Sequence, residues 1–267
     1  MPPARVGDIE LSYERSGSGP PLLLIMGMSG TMHHWGEPLL EGLRRDFEVI
    51  VYDHRDAGDS TRTGAPFTIA DLAGDAAGLL RALEIDSAYV MGISMGGMIA
   101  QELVLAHPEL LRALVLGCTY CGGEGSALAS EDVMRRLAEG MASGDRERAI
   151  RTGWEVNVSA RFAANEEVYA KFLQTGLSYG LPVAVIMEQM RAIAGHDTSE
   201  RLSQIHTPTL VVHGTDDELL PVQNGRMIAE RIPGSRLEIL DGVGHMFFLE
   251  EPQRSAELVR EHALINA

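Results

Sequence analysis

The sequence contains few cysteines and no long apolar run, and both shortages restrict the kind of protein it can be. Its two cysteines, Cys118 and Cys121, form one Cys-x-x-Cys pair after a strand-like run. A zinc site needs a second pair, and a thioredoxin-type redox motif opens a helix, so we expect two ordinary reduced thiols. No segment approaches the roughly 20 apolar residues that span a bilayer, and the N-terminus lacks a signal-peptide core. We therefore expect a cytoplasmic protein with no membrane partner.

Positive charge is also scarce. Arg and Lys number 22 against 38 Asp and Glu, which gives a formal net charge of -16. Such a chain repels nucleic acid, so we expect no nucleic acid partner and a substrate that is not strongly anionic. The spacings His-x-x-x-His, Glu-x-x-His and Gly-x-x-x-x-Gly-Lys are missing, so we expect no metal and no cofactor. The 267 residues suffice for one domain with an insertion or for two domains.

Strand and helix patterns alternate along most of the chain. Strand-like runs occur at residues 9–14, 22–26, 47–53, 88–91, 113–116, 209–213 and 236–240. Helical patterns lie between them, at residues 35–45, 68–83 and 98–106, and again at 253–264. This alternation predicts an α/β fold with a mostly parallel central sheet flanked by helices.

The alternation stops in the middle of the chain. Residues 130–206 show helical patterns and no convincing strand, and we predict helices at residues 133–141, 148–156, 166–176 and 182–194. We therefore divide the chain into an α/β core at residues 1–123 and 207–267 and a helical cap at residues 124–206. A helical insertion before the last two strands is expected to form a lid over the carboxyl ends of the strands.

The segment Gly92-Ile93-Ser94-Met95-Gly96 is the most informative part of the chain. It lies between a predicted buried strand and a predicted helix. A Gly-x-Ser-x-Gly in this context is a nucleophile elbow, whose tight turn requires small residues on either side of the serine. Ser94 is therefore the candidate nucleophile.

A base and an acid are expected after other strands at the same edge of the sheet. His245 follows the last predicted strand in a glycine-rich loop and is the best placed of the nine histidines. Two aspartates, Asp216 and Asp217, follow the preceding strand, and the position of Asp217 before a proline favours it as the group that orients the imidazole. His213, at the end of that strand, is more typical of a packed or supporting group. Candidates for substrate contact on other predicted loops are His33, His34 and His54.

These motifs together resemble the α/β-hydrolase family. GISMGG resembles the family's elbow, HGTDDELLP its acid loop and DGVGHMFFLEEP its histidine loop, in the order nucleophile, acid, base. The resemblance covers nearly all of the chain apart from the helical insertion and implies the triad Ser94, Asp217 and His245. It also implies an oxyanion hole formed by the backbone N–H groups of Met28 and Met95.

Two positions depart from the family pattern. Met26-Gly27 stands where the family usually has His-Gly, which removes a polar side chain that often braces the oxyanion loop. Asp56 replaces the first glycine of Asp-x-Arg-Gly-x-Gly-x-Ser. Together the two departures are similar to a subset of the family that includes aclacinomycin methylesterase, which implies esters of bulky natural products as substrates.

The sequence thus predicts a serine hydrolase that cleaves a small uncharged carboxylic ester or lactone through an acyl-enzyme on Ser94. Two alternatives use the same triad, namely hydrolysis of a C–C bond beside a ketone and cofactor-free perhydrolysis. An alternative of another class is a ligand receptor or interaction module with a slow or vestigial triad. Candidates for the substrate pocket are Gly27, Trp154, Met187 and Met246.

Overall fold

A computed structural model of the chain describes residues 2–266. Its strands are β1 (Ala4–Val6), β2 (Ile9–Leu11), β3 (Tyr13–Gly17), β4 (Pro21–Ile25), β5 (Glu48–Tyr52), β6 (Ala88–Ile93), β7 (Leu111–Gly117), β8 (Thr209–Gly214) and β9 (Arg236–Leu240). Seven of them form the central sheet in the order β3-β5-β4-β6-β7-β8-β9, and β1 and β2 form a separate hairpin. Only β3 runs antiparallel to its neighbour, so the predicted mostly parallel sheet is confirmed.

Helices cover both faces of the sheet. They are α1 (Glu37–Leu43), α2 (Ile69–Ala82), α3 (Met95–Ala106), α4 (Glu131–Ala142), α5 (Arg146–Asn157), α6 (Ala160–Ala163), α7 (Glu166–Tyr179), α8 (Val183–Ala194), α9 (Gln223–Arg231), α10 (Phe247–Glu250) and α11 (Pro252–Ile265). Alternate residues of the central strands point to opposite faces, so that one face packs on α2 and α3 and the other on α1 and α11. No helix of the described residues is long and apolar enough to cross a membrane.

The first predicted strand is interrupted. Residues 9–14 were expected to form one edge strand, but β2 ends at Leu11 and β3 begins at Tyr13. Between them, the Ser12 N–H donates to the Ser60 hydroxyl and the Ser12 carbonyl accepts from the Asp53 N–H, at 2.9 Å each. These contacts turn the two halves toward different partner strands, β1 and β5. Three helices, α6, α9 and α10, also lie where the sequence predicted none.

Between β7 and β8 the chain forms α4 to α8 and contains no strand among the described residues. We call residues 124–206 the helical insertion; its status as a separate lid domain stays a prediction. Trp154 of α5 is the centre of its packing, because the indole is fully buried among three aromatic rings and its N–H donates to the Ala163 carbonyl at 3.1 Å. Those rings belong to Phe162, Tyr169 and Phe172.

Candidate active site

Ser94 occupies a strained turn between β6 and α3. Its backbone has φ 52° and ψ -123°, in the left-handed half of conformational space that non-glycine residues rarely adopt. A Cβ at Gly92 would lie 2.2 Å from the Gly96 carbonyl oxygen, and a Cβ at Gly96 would lie 2.0 Å from the Ile25 carbonyl oxygen. Only glycine fits at either position, so the sequence forces the turn that raises Ser94 above the sheet.

His245 and Asp217 form a buried pair in the loops after β9 and β8. The His245 Nδ1–H donates to Asp217 Oδ2 at 2.7 Å, and each residue is 4% exposed. The other carboxylate oxygen of Asp217 accepts from the backbone N–H groups of Leu219 and Leu220, at 3.0 and 2.8 Å. The neighbouring Asp216 is exposed. The structure therefore brings Asp217, and not Asp216, to the imidazole.

A second imidazole touches the same carboxylate oxygen. His213 is fully buried at the end of β8, and its Nε2 lies 3.1 Å from Asp217 Oδ2. The same Nε2–H donates to the Leu220 carbonyl at 2.7 Å, which fixes the ring. His213 thus helps to hold the acid loop in place, in line with the supporting role that its strand-end position indicated.

The charges of this pair stabilise each other. Burial by itself would raise the pKa of Asp217, but the charge of His245 and the hydrogen bonds from His213 and His245 outweigh it and lower the pKa to about 2. Burial would lower the pKa of His245, but the charge of Asp217 and the neighbouring Cys118 thiol raise it well above 6.5. Asp217 is therefore ionised at neutral pH and favours the imidazolium that a general base forms when it accepts a proton.

Ser94 and His245 both lie beside the end of β7. The Ser94 N–H donates to the Gly117 carbonyl at 2.9 Å, and Cys118, which directly follows β7, lies beside the His245 ring. Among the hydrogen bonds of residues 2–266, none joins the Ser94 hydroxyl to His245. Catalytic hydrogen bonds are often long without substrate and tighten when it binds, so the missing bond does not argue against a catalytic pair of Ser94 and His245.

The loop after β4 passes directly over the serine. A Cβ at Gly27 would lie 3.0 Å from the Ser94 Cβ, and the Gly30 N–H donates to the Gly27 carbonyl at 3.4 Å. The N–H groups of Met28, in this loop, and of Met95, at the start of α3, donate to no acceptor among the described residues. First-turn N–H groups of a helix lack helical partners and are suited to bind an anion.

This loop is braced although the family's usual histidine is replaced by Met26. The His54 Nε2–H donates to the Met26 carbonyl at 2.9 Å, and burial lowers the pKa of His54, which keeps the ring neutral. The Asp53 carboxylate accepts from the Met32 N–H at 2.8 Å, where the loop ends. The expected substrate contact by His54 is therefore wrong: the ring is 2% exposed and supports the loop from below.

Comparison with known proteins identifies the family. A profile described as alpha/beta hydrolase fold matches residues 20–252. The chain belongs to the α/β-hydrolase family. It is 32% identical over 260 residues to a protein of Azorhizobium caulinodans provisionally named carbamate hydrolase RutD, and the match covers 97% of each chain.

Two solved structures resemble this α/β-hydrolase over its whole length. Esterase RhEst1 from Rhodococcus sp. ECU1013 has a TM-score of 0.85 and 25% identity, over 100% of this chain and 99% of its own. The enol-lactonase from Burkholderia xenovorans LB400 has a TM-score of 0.84 and 25% identity, over 98% and 100%. The predicted α/β-hydrolase fold is confirmed, and the family and these relatives support a hydrolase.

The candidate pocket residues of this α/β-hydrolase have different surroundings. Gly27 lies against Ser94, and Met246 follows His245 with its N–H donating to the Asn157 carbonyl at 2.7 Å. Met187 of α8 is 53% exposed. Trp154 has no accessible surface, so its expected place in the substrate pocket is wrong: the indole packs inside the helical insertion.

Asp56, the second departure from the family pattern, has a structural explanation. Its φ of 63° lies in the region that glycine favours and that Asp tolerates better than most residues. The carboxylate accepts from the Thr63 N–H at 2.6 Å, the Thr63 hydroxyl at 2.7 Å and the Gly64 N–H at 3.0 Å. Asp56 therefore holds the loop that follows β5.

A buried carboxylate that the sequence did not single out joins the histidine loop to the helical insertion. Glu250 Oε1 accepts from the N–H groups of Gly244 and Ser159 at 2.8 Å each, and Oε2 accepts from the Ser159 hydroxyl at 2.5 Å. Gly244 directly precedes His245. The sequence feature that could have pointed to Glu250 is an acidic residue directly after the apolar run Met246–Leu249. Its partner Ser159 lies 91 residues away, so spacing along the sequence does not identify the contact.

A surface groove of about 640 Å³ borders the acid loop but does not reach the candidate nucleophile. Residues of α4, α5, α6 and the loop after β8 line it, and Ser94 is not among them. Its two arginines, Arg136 and Arg151, are both paired with Glu155, so the groove offers no free cation to a ligand.

Proposed function

We propose that the protein is a serine hydrolase that cleaves a small uncharged carboxylic ester or lactone through an acyl-enzyme on Ser94. The observation that carries the proposal is the buried Asp217–His245 pair, which lies at the same sheet edge as a serine in the strained elbow conformation. A serine hydroxyl is a weak nucleophile unless a base and an oxyanion site converge on it, and we assign these roles to His245 and to the N–H groups of Met28 and Met95.

In the first half-reaction, the Ser94 oxygen attacks the carbonyl carbon while His245 Nε2 accepts the hydroxyl proton. The carbonyl electron pair moves onto oxygen, and the N–H groups of Met28 and Met95 hold the resulting oxyanion. When the tetrahedral intermediate collapses, the C–O bond breaks and His245 returns its proton to the leaving alcohol. One oxyanion donor of this type contributes about 10²–10³-fold to turnover.

Water completes the reaction. His245 accepts a proton from the water that attacks the acyl carbon, the same two N–H groups hold the second oxyanion, and the proton returns to Ser94 as the acid leaves. In a lactone the alcohol and the acid are parts of one molecule, so a single hydroxy acid is released. Asp217 stays ionised throughout and stabilises the imidazolium in each step.

The choice of substrate rests on charge and on the relatives. The formal net charge of -16 disfavours a strongly anionic substrate. Similar structures are named for ester and enol-lactone hydrolysis. A second candidate function, hydrolysis of a carbamate, is favoured by the 32% identity to the protein provisionally named carbamate hydrolase RutD. A carbamate carbonyl can undergo the same serine attack at the same site.

The test is hydrolysis of p-nitrophenyl esters of increasing acyl length, of homologous lactones and of a p-nitrophenyl carbamate. Ser94→Ala, Asp217→Asn and the matched control Asp216→Asn are measured beside the unchanged protein. We expect turnover that falls by orders of magnitude in the first two variants and stays near the unchanged level in Asp216→Asn, whose side chain is exposed. Turnover that persists in Ser94→Ala overturns the proposal. A folded protein without turnover on any of these compounds favours C–C bond hydrolysis, perhydrolysis or ligand binding.

A further inference from the structure

Helix α8 of the helical insertion contacts the loop over Ser94 through one fully buried side chain, Gln189. Its Oε1 accepts the backbone N–H of Ser29 at 2.9 Å, across 160 positions of the sequence. Ser29 directly follows Met28, whose N–H is the proposed oxyanion donor from this loop. The contact therefore fixes the peptide plane next to the one that carries the donor.

Two neighbouring peptide planes of this loop, Gly27–Met28 and Met28–Ser29, are each held by one hydrogen bond. The Gly27 carbonyl accepts from Gly30, and in a planar trans peptide this directs the Met28 N–H the opposite way. Without the Gln189 contact, the Ser29 N–H would lose its acceptor, and only the 3.4 Å contact from Gly30 would keep the Met28 N–H in its orientation. Ser29 has a positive φ of 61°, a conformation that a non-glycine residue keeps only when its surroundings enforce it.

The other half of the Gln189 amide is unfavourable for stability. Its Nε2 is buried and has no hydrogen-bond partner. An unpartnered buried donor destabilises the folded state, because water satisfied it in the unfolded chain. By contrast, Ser29 is an exposed residue and its bond to Gln189 is only partly buried, so we expect water to accept the Ser29 N–H when Gln189 is replaced. Folding alone therefore gives no reason for a glutamine at this position.

We propose that Gln189 is a positioning residue for the oxyanion hole, an inference that rests on the proposed function of Ser94 and Met28. Its carbonyl oxygen holds the loop so that the Met28 N–H faces the oxygen of the tetrahedral intermediate, and helix α8 thereby sets part of the catalytic geometry. A side chain without an oxygen acceptor at position 189 should therefore lower turnover while stability stays equal or rises.

The chain offers a matched control on the same helix. The adjacent Glu188 accepts the Phe67 N–H through its own Oε1 at 3.0 Å, so it also joins α8 to the core but does not touch the loop over Ser94. Methionine is unbranched, similar in length to both side chains and has no oxygen acceptor. Gln189→Met and Glu188→Met therefore each remove a hydrogen bond from α8 to the core, the second together with the Glu188–Arg191 ion pair, and only the first loosens the oxyanion loop.

The experiment measures kcat and KM for a p-nitrophenyl ester in the unchanged protein, Gln189→Met and Glu188→Met, each corrected for active sites by titration. Ser94→Ala is measured at equal protein concentration, because it has no serine to titrate. We expect Gln189→Met to lower kcat about 10-fold or more and to leave KM nearly unchanged. This loss is smaller than the 10²–10³-fold loss that removal of a whole oxyanion donor causes. Affinity for a trifluoromethyl ketone, whose adduct carries the oxyanion, should fall by the same factor as kcat/KM. The pH profile should stay in place, and the melting temperature should be equal or higher.

Glu188→Met should leave kcat near the unchanged value. A kcat in Gln189→Met within twofold of the unchanged protein, or an equal loss in both methionine variants, overturns the inference while the proposed function stands. Turnover that does not depend on Ser94 overturns both. If Gln189→Met does not fold, hydrogen exchange in the unchanged protein decides: a Ser29 amide that exchanges slowly despite its exposed position supports the inference, and fast exchange overturns it.

Discussion

Replacement of Glu250 should destabilise the protein by an amount that its hydrogen bonds define. In Glu250→Ala the N–H groups of Gly244 and Ser159 lose their acceptor in a buried site. Each unpartnered buried donor costs about 1–3 kcal/mol, so the two together cost about 2–6 kcal/mol, before the hydrogen bond from the Ser159 hydroxyl is counted. Such a loss is a large fraction of the roughly 5–15 kcal/mol that stabilises a typical protein.

Glu250→Gln separates the hydrogen bonds from the charge. Both backbone N–H groups donate to Oε1, so the glutamine carbonyl can accept them, and the new NH₂ group can donate to the Ser159 oxygen. The remaining cost is the loss of charge assistance in these bonds, about 1–2 kcal/mol. The adjacent Glu251 serves as the matched control, because its side chain makes no hydrogen bond among the described residues and it lies at the start of α11. Glu251→Ala should change stability by no more than about 1 kcal/mol.

Equilibrium unfolding in guanidinium chloride measures these differences. Tryptophan fluorescence follows the transition, since Trp35 and Trp154 are both fully buried. We expect the midpoint to fall in the order unchanged protein, Glu250→Gln, Glu250→Ala, with an unchanged slope. A Glu250→Ala protein within 1 kcal/mol of the unchanged one, or Glu251→Ala as unstable as Glu250→Ala, would refute the reasoning.

Three further results are expected. Because Asp217 raises the pKa of His245 well above 6.5 and a general base must be neutral, kcat/KM should rise with pH through a midpoint above 6.5; a midpoint at or below that value contradicts the assignment. The pKa of Asp217 is lowered from 3.8 to about 2, so its ionised form stabilises the fold above pH 4 and this contribution disappears between about pH 4 and pH 2. Urea titrations should show that Asp217→Asn lacks this acid-dependent loss, and an identical loss would count against the ion pair. Gly96→Ala should prevent folding. Gly74→Ala, at an exposed position inside α2 where an added Cβ would have nothing within 4 Å, should raise the free energy of unfolding by up to about 1 kcal/mol. Thermal melts that show equal effects in the two variants would contradict the role given to the close contact at Gly96.

The parts of the site that sequence reasoning found are those that local pattern encodes. Gly92 and Gly96 flank Ser94 because the turn between β6 and α3 admits no Cβ, and that requirement is visible within five residues. The strand-end positions of Asp217 and His245 are likewise local, and a parallel sheet brings such positions to one edge. The capping box at the start of α2 is local in the same way, since Thr68 and Asp71 each accept the other's backbone N–H.

The residues that sequence reasoning missed depend on distant partners. Gln189 and Glu250 contact groups 160 and 91 positions away, and nothing in their neighbours marks these contacts. Trp154 was assigned to the pocket because an aromatic residue on an insertion helix gives the same sequence signal whether it lines a cavity or packs inside the insertion. The break at Ser12 also depends on a distant hydroxyl, that of Ser60.

Two of the contacts between the helical insertion and the rest of the protein limit how far the insertion can be exchanged. Its Ser159 contacts the carboxylate that supports the histidine loop, and its Gln189 contacts the loop over the serine. A chimera that carried a relative's insertion would therefore inherit a foreign set of supports beneath two of the reacting groups. A transplanted insertion must therefore carry an acceptor for the Ser29 N–H, as Gln189 does, and a donor to the Glu250 carboxylate, as Ser159 does. This holds even when the new insertion folds well by itself.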